Sequence, residues 1–443
     1  CLVGSEMCIR DSLLLFLLLK ATVMYSQDGH PETNFRIVPV SPNAASLGTY
    51  GLIPTDNYVG QARISIPIYE IDLDGKKFPI ALSYHTDGTR VAQEATWIGL
   101  GWTLQAGGCV VRQVQGTDDF AARGCYNLTD APWLTNPRFE VTDQNLEKYM
   151  GYFKGDYDAE PDMFYFNAGG HSGSMYFDVL KNNRQLNAVP TIQTQEKVVK
   201  MVYNTSNKTW TMTDLEGYVY SFSTKEITYY FLNTIDFFQT DITRSHIFPY
   251  YNEPQIVTAW MLDSVTSPNG GKITFSYKKE SIFTPISTTE DVISLSKIVN
   301  GQLSSQSPQY FTNKFNYNYS YSKIEQWTLS AITFEGGKVE FGTTDREDIE
   351  SAETGKKVQK LSSIKVSDTA GNLIKTTMLE YKYLLSGMAA TTNGYDDRLL
   401  LSKVYDVAGS KKNNVYTMDY NMGKLPPKRL SLIHISEPTR QEA

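Results

Sequence analysis

Hydrophobic and polar residues alternate along most of this chain. Arg63-Ile64-Ser65-Ile66-Pro67-Ile68-Tyr69-Glu70-Ile71, Gly217-Tyr218-Val219-Tyr220-Ser221-Phe222 and Lys338-Val339-Glu340-Phe341 carry apolar side chains at every second position. That period lines one face of an extended strand. Between such stretches stand Asp74-Gly75, Asp87-Gly88, Asn269-Gly270-Gly271, Gly336-Gly337, Gly371-Asn372 and Asn393-Gly394. These pairs tolerate the positive φ of tight hairpin turns. Weak helical patterns are confined to Asn145–Met150 and Val292–Val299. The pattern predicts an all-β chain of consecutive antiparallel hairpins in sandwich-like or curled sheets, with very little helix.

A coarser repeat overlies the alternation in the second half. It reads Leu, two residues, Val or Ile, a Gly-containing turn, then an alternating strand. It begins at Leu262-Asp263-Ser264-Val265, Leu329-Ser330-Ala331-Ile332, Leu361-Ser362-Ser363-Ile364 and Leu401-Ser402-Lys403-Val404, with turns at Gly270, Gly336, Gly371 and Gly409. A lone hairpin cannot bury its own face, so the units are expected to stack into one continuous sheet. Ser281–Gln309, rich in Ser, Thr and Gln, reads as a linker dividing this array, and Gln27–Asn34 as a polar, disordered linker.

Composition changes the picture at the ends. Leu430-Ser431-Leu432-Ile433-His434-Ile435-Ser436-Glu437-Pro438-Thr439-Arg440 reads as the translation of a transposon mosaic-end sequencing adapter. Cys1–Ser12 reads as its reverse complement. Residues 1–12 and 430–443 are therefore expected to be adapter artefact and are set aside from fold reasoning. Of the four cysteines, only Cys109 and Cys125 lie between them. Leu13–Leu19 is far shorter than the ~20 apolar residues of a membrane span. Its length suits the apolar core of a secretory signal, so 13–26 reads as a truncated signal peptide. Export, to the cell surface, periplasm or extracellular space, permits a Cys109–Cys125 disulfide, and two buried free thiols are the alternative. No membrane span is expected after signal cleavage. The formal net charge of −7 argues against nucleic acid as a partner. The organisation read from the chain is 27–52 linker and entry strand, 53–245 N-terminal β domain and 246–429 β-hairpin array.

Signals for chemistry are poor. Gly99-Leu100-Gly101-Trp102 lacks the third glycine and the βαβ setting of a dinucleotide fingerprint. Gly170-His171-Ser172-Gly173-Ser174 does not fit a nucleophile elbow and reads as a flexible loop. Asp72-Leu73-Asp74-Gly75 lacks the downstream ligands of a calcium loop and reads as a hairpin tip. His85 and Asp87 read as a surface hydrogen bond. Asp118-Asp119 and Asp396-Asp397 face opposite ways on a strand and can act together only where a turn bends them. No catalytic, cofactor-binding or metal-ligating residue is assigned, no cofactor is expected, and the chain reads as non-enzymatic. Tyr229-Tyr230-Phe231, Phe237-Phe238, Phe248-Pro249-Tyr250-Tyr251 and Tyr310-Phe311 could offer platforms for a glycan or protein, with internal packing as the alternative.

Pro79–Gly88 followed by Ile98-Gly99-Leu100-Gly101-Trp102-Thr103-Leu104-Gln105-Ala106-Gly107-Gly108 resembles the N-terminal region of RHS/YD-repeat-containing proteins, in particular secreted forms common in Bacteroidetes. The strand Val110-Val111-Arg112 and the acidic pair Asp118-Asp119 follow in matching order. Trp210, Asp214, Gly217, Tyr220 and Phe222 resemble that family's Trp-x-x-x-Asp-x-x-Gly-x-x-Tyr-x-Phe hairpin. Arg398–Leu401 and Tyr420–Pro427 resemble the segment just before its repeats. The resemblance implies a structural motif at Gly99, Gly101, Trp102, Gly107 and Gly108, with Trp102 buried. It further implies a scaffold or shell portion of an exported surface or toxin-delivery protein. Its partner would be its own C-terminal YD-repeat and effector region, which would lie beyond this sequence. A surface module binding glycan or protein is the alternative function.

Overall fold

The computed structural model describes residues 38–52, 64–85, 93–116, 118–121, 124–126, 158, 160–178, 189–193, 199–235, 244–249, 255–295, 298–299, 302–303, 312–385, 395–408 and 411–420. Both adapter-like ends, the signal-like segment 13–26, Gln27–Asn34 and Asn145–Met150 lie outside the described residues. So do Asp87, Phe237-Phe238, Tyr250-Tyr251 and Tyr310-Phe311.

The fold is all-β. A small antiparallel sheet is made of β1 (Ile64–Leu73), β2 (Lys76–Tyr84) and β3 (Trp102–Gln105). The large sheet begins with β4 (Gly108–Gln113), β5 (Met163–Ala168), β6 (His171–Tyr176) and β7 (Thr191–Ile192), then β8 (Val199–Asn204), β9 (Thr209–Asp214) and β10 (Val219–Ile235). It continues through β11 (Phe248–Pro249), β12 (Ile256–Thr266), β13 (Lys272–Phe283) and β14 (Ser287–Leu295). After a separate pair, β15 (Ile298–Val299) and β16 (Gln302–Leu303), come β17 (Thr312–Phe334), β18 (Gly337–Asp345), β19 (Glu350–Ser351), β20 (Gln359–Ser367), β21 (Leu373–Leu384), β22 (Arg398–Ala408) and β23 (Lys411–Thr417). The long strands change partners midway. β10 pairs with β12 and then β17, while β13 joins β12 to β17, so these four close a hydrogen-bonded circuit.

Three expectations are corrected. Pro42–Leu52, read as linker and entry strand, is a helix, α1. Ser41 caps it, its Oγ accepting the Ala44 amide at 3.1 Å. Val292–Val299, read as helical, contributes to β14 and β15, because partnering with β17 outweighs a weak local pattern. Ser281–Gln309 is not simply a linker: its first part completes β13 and forms β14. The four repeat units are hairpins, and they share one register defect. In each, the residue after the leading Leu has no partner across the ladder. Leu262 and Ser264 oppose Phe222 and Ser221, leaving Asp263 bulged. Leu329 and Ala331 oppose Tyr277 and Ser276 around Ser330. Leu361 and Ser363 oppose Thr343 and Gly342 around Ser362. Leu401 and Lys403 oppose Tyr381 and Glu380 around Ser402.

The bulges explain the Leu-x-x-Val/Ile spacing. Positions i and i+3 fall on opposite faces of a regular strand, and one extra residue returns both to the same face. Leu262, Val265, Leu329, Ile332, Leu361, Ile364, Leu401 and Val404 are all buried in a single apolar cluster. That cluster also takes Ile66, Ile71, Ile80 and Leu82 of the small sheet and Phe164, Trp210 and Phe222 of the large one. Described residues from both sides of position 245 thus lie in one apolar cluster.

The tips repeat as well. Asp214, Ser267 and Asp368 each donate their amide to the carbonyl four residues on, and accept the amide of a glycine three residues on, at 2.9–3.2 Å. Those glycines, Gly217, Gly270 and Gly371, have φ of +86°, +96° and +83°. The shared geometry is a tight turn closed by a left-handed glycine.

Removing Ser362 by deletion should throw Leu361 and Ile364 onto opposite faces. Its cost in denaturant unfolding should exceed that of Leu361→Ala, about 2–5 kcal/mol. Ser362→Ala, which keeps the bulge, should stay within about 1 kcal/mol of the parent.

Candidate functional site

The segment from Ala95 to Trp102 is short and largely buried, and its hydrogen bonds reach several distant parts of the chain. It begins with Thr96, whose Oγ1 donates to the carbonyls of Gly99 and Trp102 at 3.1 and 2.6 Å and accepts the Ile98 amide at 3.1 Å. One hydroxyl therefore closes the whole Gly-Leu-Gly-Trp turn. Outside it, the Trp97 amide donates to Asn43 Oδ1 of α1 at 2.9 Å. The Trp97 carbonyl accepts the Leu361 amide of β20 at 3.0 Å, and the Leu100 amide donates to the Leu399 carbonyl of β22 at 2.8 Å. Trp102 Nε1 donates to the Tyr420 hydroxyl at 2.9 Å, which donates onward to the Leu401 carbonyl at 2.8 Å.

The glycines permit these approaches. Gly99 has φ +118°, and a Cβ there would stand 2.9 Å from the Leu401 amide nitrogen. Gly101 has φ +76°, and a Cβ would stand 2.7 Å from the Tyr84 ring. Only glycine meets both demands. Gly107 turns at φ +109° against Phe275, and Gly108 lies flush on Asn167 and Ala168 of β5. Trp102 is 3% exposed, with its ring centroid 5.2 Å from that of Tyr84.

Among the described residues the chain holds two buried ion pairs, one of them against this turn. Arg346 Nη1 and Nη2 donate to the carbonyls of Thr96 and Ala95 at 3.0 and 3.2 Å. Its Nε and Nη2 grip Asp348 at 2.8 and 2.7 Å. Asp348 in turn accepts the Leu399 amide at 3.2 Å. Removing either partner would strand a buried charge. The second pair lies at the end of β4. Arg112 Nε donates to Asp162 Oδ2 at 2.8 Å, and its Nη2 reaches Asp162 and Asp118. A turn closed by the Ala121 amide on the Asp118 carbonyl bends the Asp118-Asp119 pair, so both carboxylates serve one cluster. Asp119 Oδ2 accepts the Asp162 amide at 2.6 Å. Burial, reinforced by the charge of Asp162, pushes the Asp119 carboxyl up to about 9.

A third polar knot joins hairpin tips. Asp214 accepts from Lys76 Nζ at 2.5 Å, the Tyr218 amide at 2.9 Å and the Tyr220 hydroxyl at 3.1 Å. Burial alone would raise its carboxyl, but these donors outweigh it and hold it below the usual range. Burial would likewise lower Lys76, yet hydrogen bonds to Asp214 and Glu216 hold it above the ordinary ammonium range. A lysine so held is a poor nucleophile or base.

Gly170-His171-Ser172 is part of a two-residue hairpin, with Gly169 and Gly170 at φ +60° and +83°, rather than a flexible loop. Asp74 and Gly75 form a two-residue hairpin tip at φ +51° and +92°. Cys109 and Cys125 are both buried and lie in different apolar clusters. Burial pushes the Cys109 thiol well up. Phe231 stacks on Tyr321 at 4.5 Å, and the Arg244 guanidinium caps Phe283 at 4.4 Å, so these rings pack internally. Among the described residues no group of three or more His, Cys, Asp or Glu is placed to hold a metal, and no helix is long and apolar enough to cross a membrane. Sequence alone does not mark Arg346 as a partner of the turn. An isolated Arg-x-Asp carries no signal until folding brings it to residues 95–96.

Gly99→Ala should cost about 1–3 kcal/mol through strain and collision with β22, against about 1 kcal/mol for Gly75→Ala, where a Cβ meets open space. Chemical denaturation of the two variants checks this. The Asp119 carboxyl is raised on folding, so the folded chain holds a proton that the unfolded chain releases above about pH 4. Its contribution is fully present below the unfolded value and is lost as pH rises toward 9. Asp119→Asn should therefore gain on the parent as denaturation midpoints are compared from pH 5 to pH 8.

No protein-family model and no curated protein matches the chain. Solved structures do show likeness in fold. A crystal structure of TcdB2-TccC3-Cdc42 matches over 81% of this chain and 16% of its own, at 10% identity and a TM-score of 0.36. The N-terminal domain of effector protein SpvB from Salmonella typhimurium strain LT2 matches over 78% of this chain and 98% of its own, at 11% identity and a TM-score of 0.34. The Tc holotoxin pore of Photorhabdus luminescens matches over 86% and 16%, at 9% identity and a TM-score of 0.35. This chain spans about a sixth of the TcdB2-TccC3 chain that it matches. At TM-scores below 0.5 such likeness transfers no activity.

Proposed function

We propose that this chain is a non-enzymatic scaffold segment of an exported RHS-like protein, holding the sheet on which its own C-terminal region is carried. The observation that carries this reading is the turn at Ala95–Trp102. Its hydrogen bonds reach α1, the loop before β19, β20, β22 and Tyr420, tying residues more than 300 positions apart into one core. The polar clusters support the same reading. Arg112, Asp162, Arg346 and Asp348 are at most 2% exposed, and their hydrogen bonds go to backbone, to each other and to Asp118. Such groups position strands and leave no open face for a substrate. The resemblance to RHS/YD-repeat-containing proteins supplies the exported context. A secreted or surface location and a downstream effector belong to this proposal.

The test uses the secreted full-length polypeptide and limited proteolysis of whatever follows residue 420. A scaffold should protect that region, and Gly99→Ala should abolish the protection. Equal cleavage in parent and variant would contradict the proposal. So would saturable binding of glycans by the parent that survives Gly99→Ala.

A further inference from the structure

The repeat units obey a pairing rule that extends to a strand whose outer edge has no partner among the described residues. In each step a second strand receives the bulged Leu strand of the following unit in the same register. Phe222, Tyr277, Thr343 and Tyr381 lie opposite Leu262, Leu329, Leu361 and Leu401. Two residues earlier, Tyr220, Phe275, Phe341 and Leu379 lie opposite Val265, Ile332, Ile364 and Val404. The residue following each leading Leu bulges.

β23 is the second strand of the fourth unit. Among the described residues it pairs only with β22, and every one of its residues is exposed, Val415 by 52% and Tyr416 by 44%. Its place in the rule is fixed by a side chain. Tyr277 and Tyr381 each donate to the carbonyl of their own unit's Leu, Leu262 and Leu361, at 2.6 Å. Tyr420 donates to Leu401 at 2.8 Å in the same way, so it occupies the position that faces the next Leu. Met418, two residues earlier, packs partly into the core as Phe275 and Leu379 do.

Resting on the scaffold reading, we infer that the open edge of β23 and Met418–Tyr420 accepts a fifth strand of the chain's own C-terminal continuation. That strand has the pattern Leu, small polar, any residue, Val or Ile. Its Leu lies opposite Tyr420, its second residue bulges, and its aliphatic residue lies opposite Met418. The four preceding steps share this geometry. Exposed strand edges are natural acceptors for such addition.

The experiment adds to the full chain a synthetic nonapeptide with the sequence of Gln359–Ser367, which carries Leu-Ser-Ser-Ile. Hydrogen exchange of β23 amides should slow by roughly tenfold or more with peptide, and a scrambled peptide should do nothing. Register is read by disulfide capture. A peptide with Cys at its Ile position should capture Met418→Cys and leave Asp419→Cys, which faces the other side of the strand, unmodified. Thr417→Cys with Cys one residue later in the peptide provides a second capture pair should Met418→Cys fold poorly. Absence of protection, capture at Asp419→Cys instead, or concentration-dependent protection of β23 by a second copy without peptide would each overturn the inference. Failure here with intact protease protection by the parent would leave the scaffold reading standing and remove only this edge.

Discussion

The structure depends on one constraint: two apolar residues three apart must face the same core from an extended strand. A regular strand cannot do this, and a single bulged residue can. Asp263, Ser330, Ser362 and Ser402 take that role. Their side chains are polar and short, which suits a residue turned out of the ladder. Asp263 goes further and uses its carboxylate to bind the Ser223 hydroxyl at 2.7 Å and the Thr224 amide at 3.1 Å. Bulges also increase local twist, so a series of them at equal places curls the sheet over its own apolar face.

A curled sheet needs something to pin its turns together, and the Ala95–Trp102 segment does so. The chain leaves β2 of the small sheet, passes through the glycine turn, returns to that sheet as β3 and then enters the large sheet at β4. Gly99 brings backbone against the backbone of β22, a distance no side chain would allow. Arg346 reaches the same segment from the far side with a buried carboxylate behind it. Buried ion pairs add little net stability on their own, but a half-broken one is costly, so they fix one arrangement against others. The same logic holds at Arg112, where Asp118 and Asp162 share one guanidinium and burial raises the Asp119 carboxyl well above its usual range.

Much of the architecture was legible in the chain. Alternation at Ile64–Ile71 and Lys338–Phe341 marked strands, and Asp74-Gly75 marked its hairpin tip, because period and turn chemistry act locally. The Leu-x-x-Val/Ile repeat was visible, while its bulge was not: only the partner strand reveals which residue lacks an opposite number. The helix α1 escaped notice because Pro42–Leu52 has little amphipathic pattern of its own and is held by Asn43, Ser41 and the Leu47 carbonyl through tertiary hydrogen bonds. The Gly-Leu-Gly-Trp block stood out by composition and resemblance. Its partners Arg346, Leu361, Leu399 and Tyr420 lie hundreds of residues away, a separation that no local pattern encodes.

This turn is expected to bind the small sheet and the hairpin array into one cooperative core. Native-state hydrogen exchange of the full chain tests it most directly. The Leu100 and Leu361 amides, which bridge the turn to β22 and β20, should exchange only through global unfolding, with the same free energy as the core amides of β12 and β20. Exchange of those two amides through a local opening, well below the global value, would contradict the account.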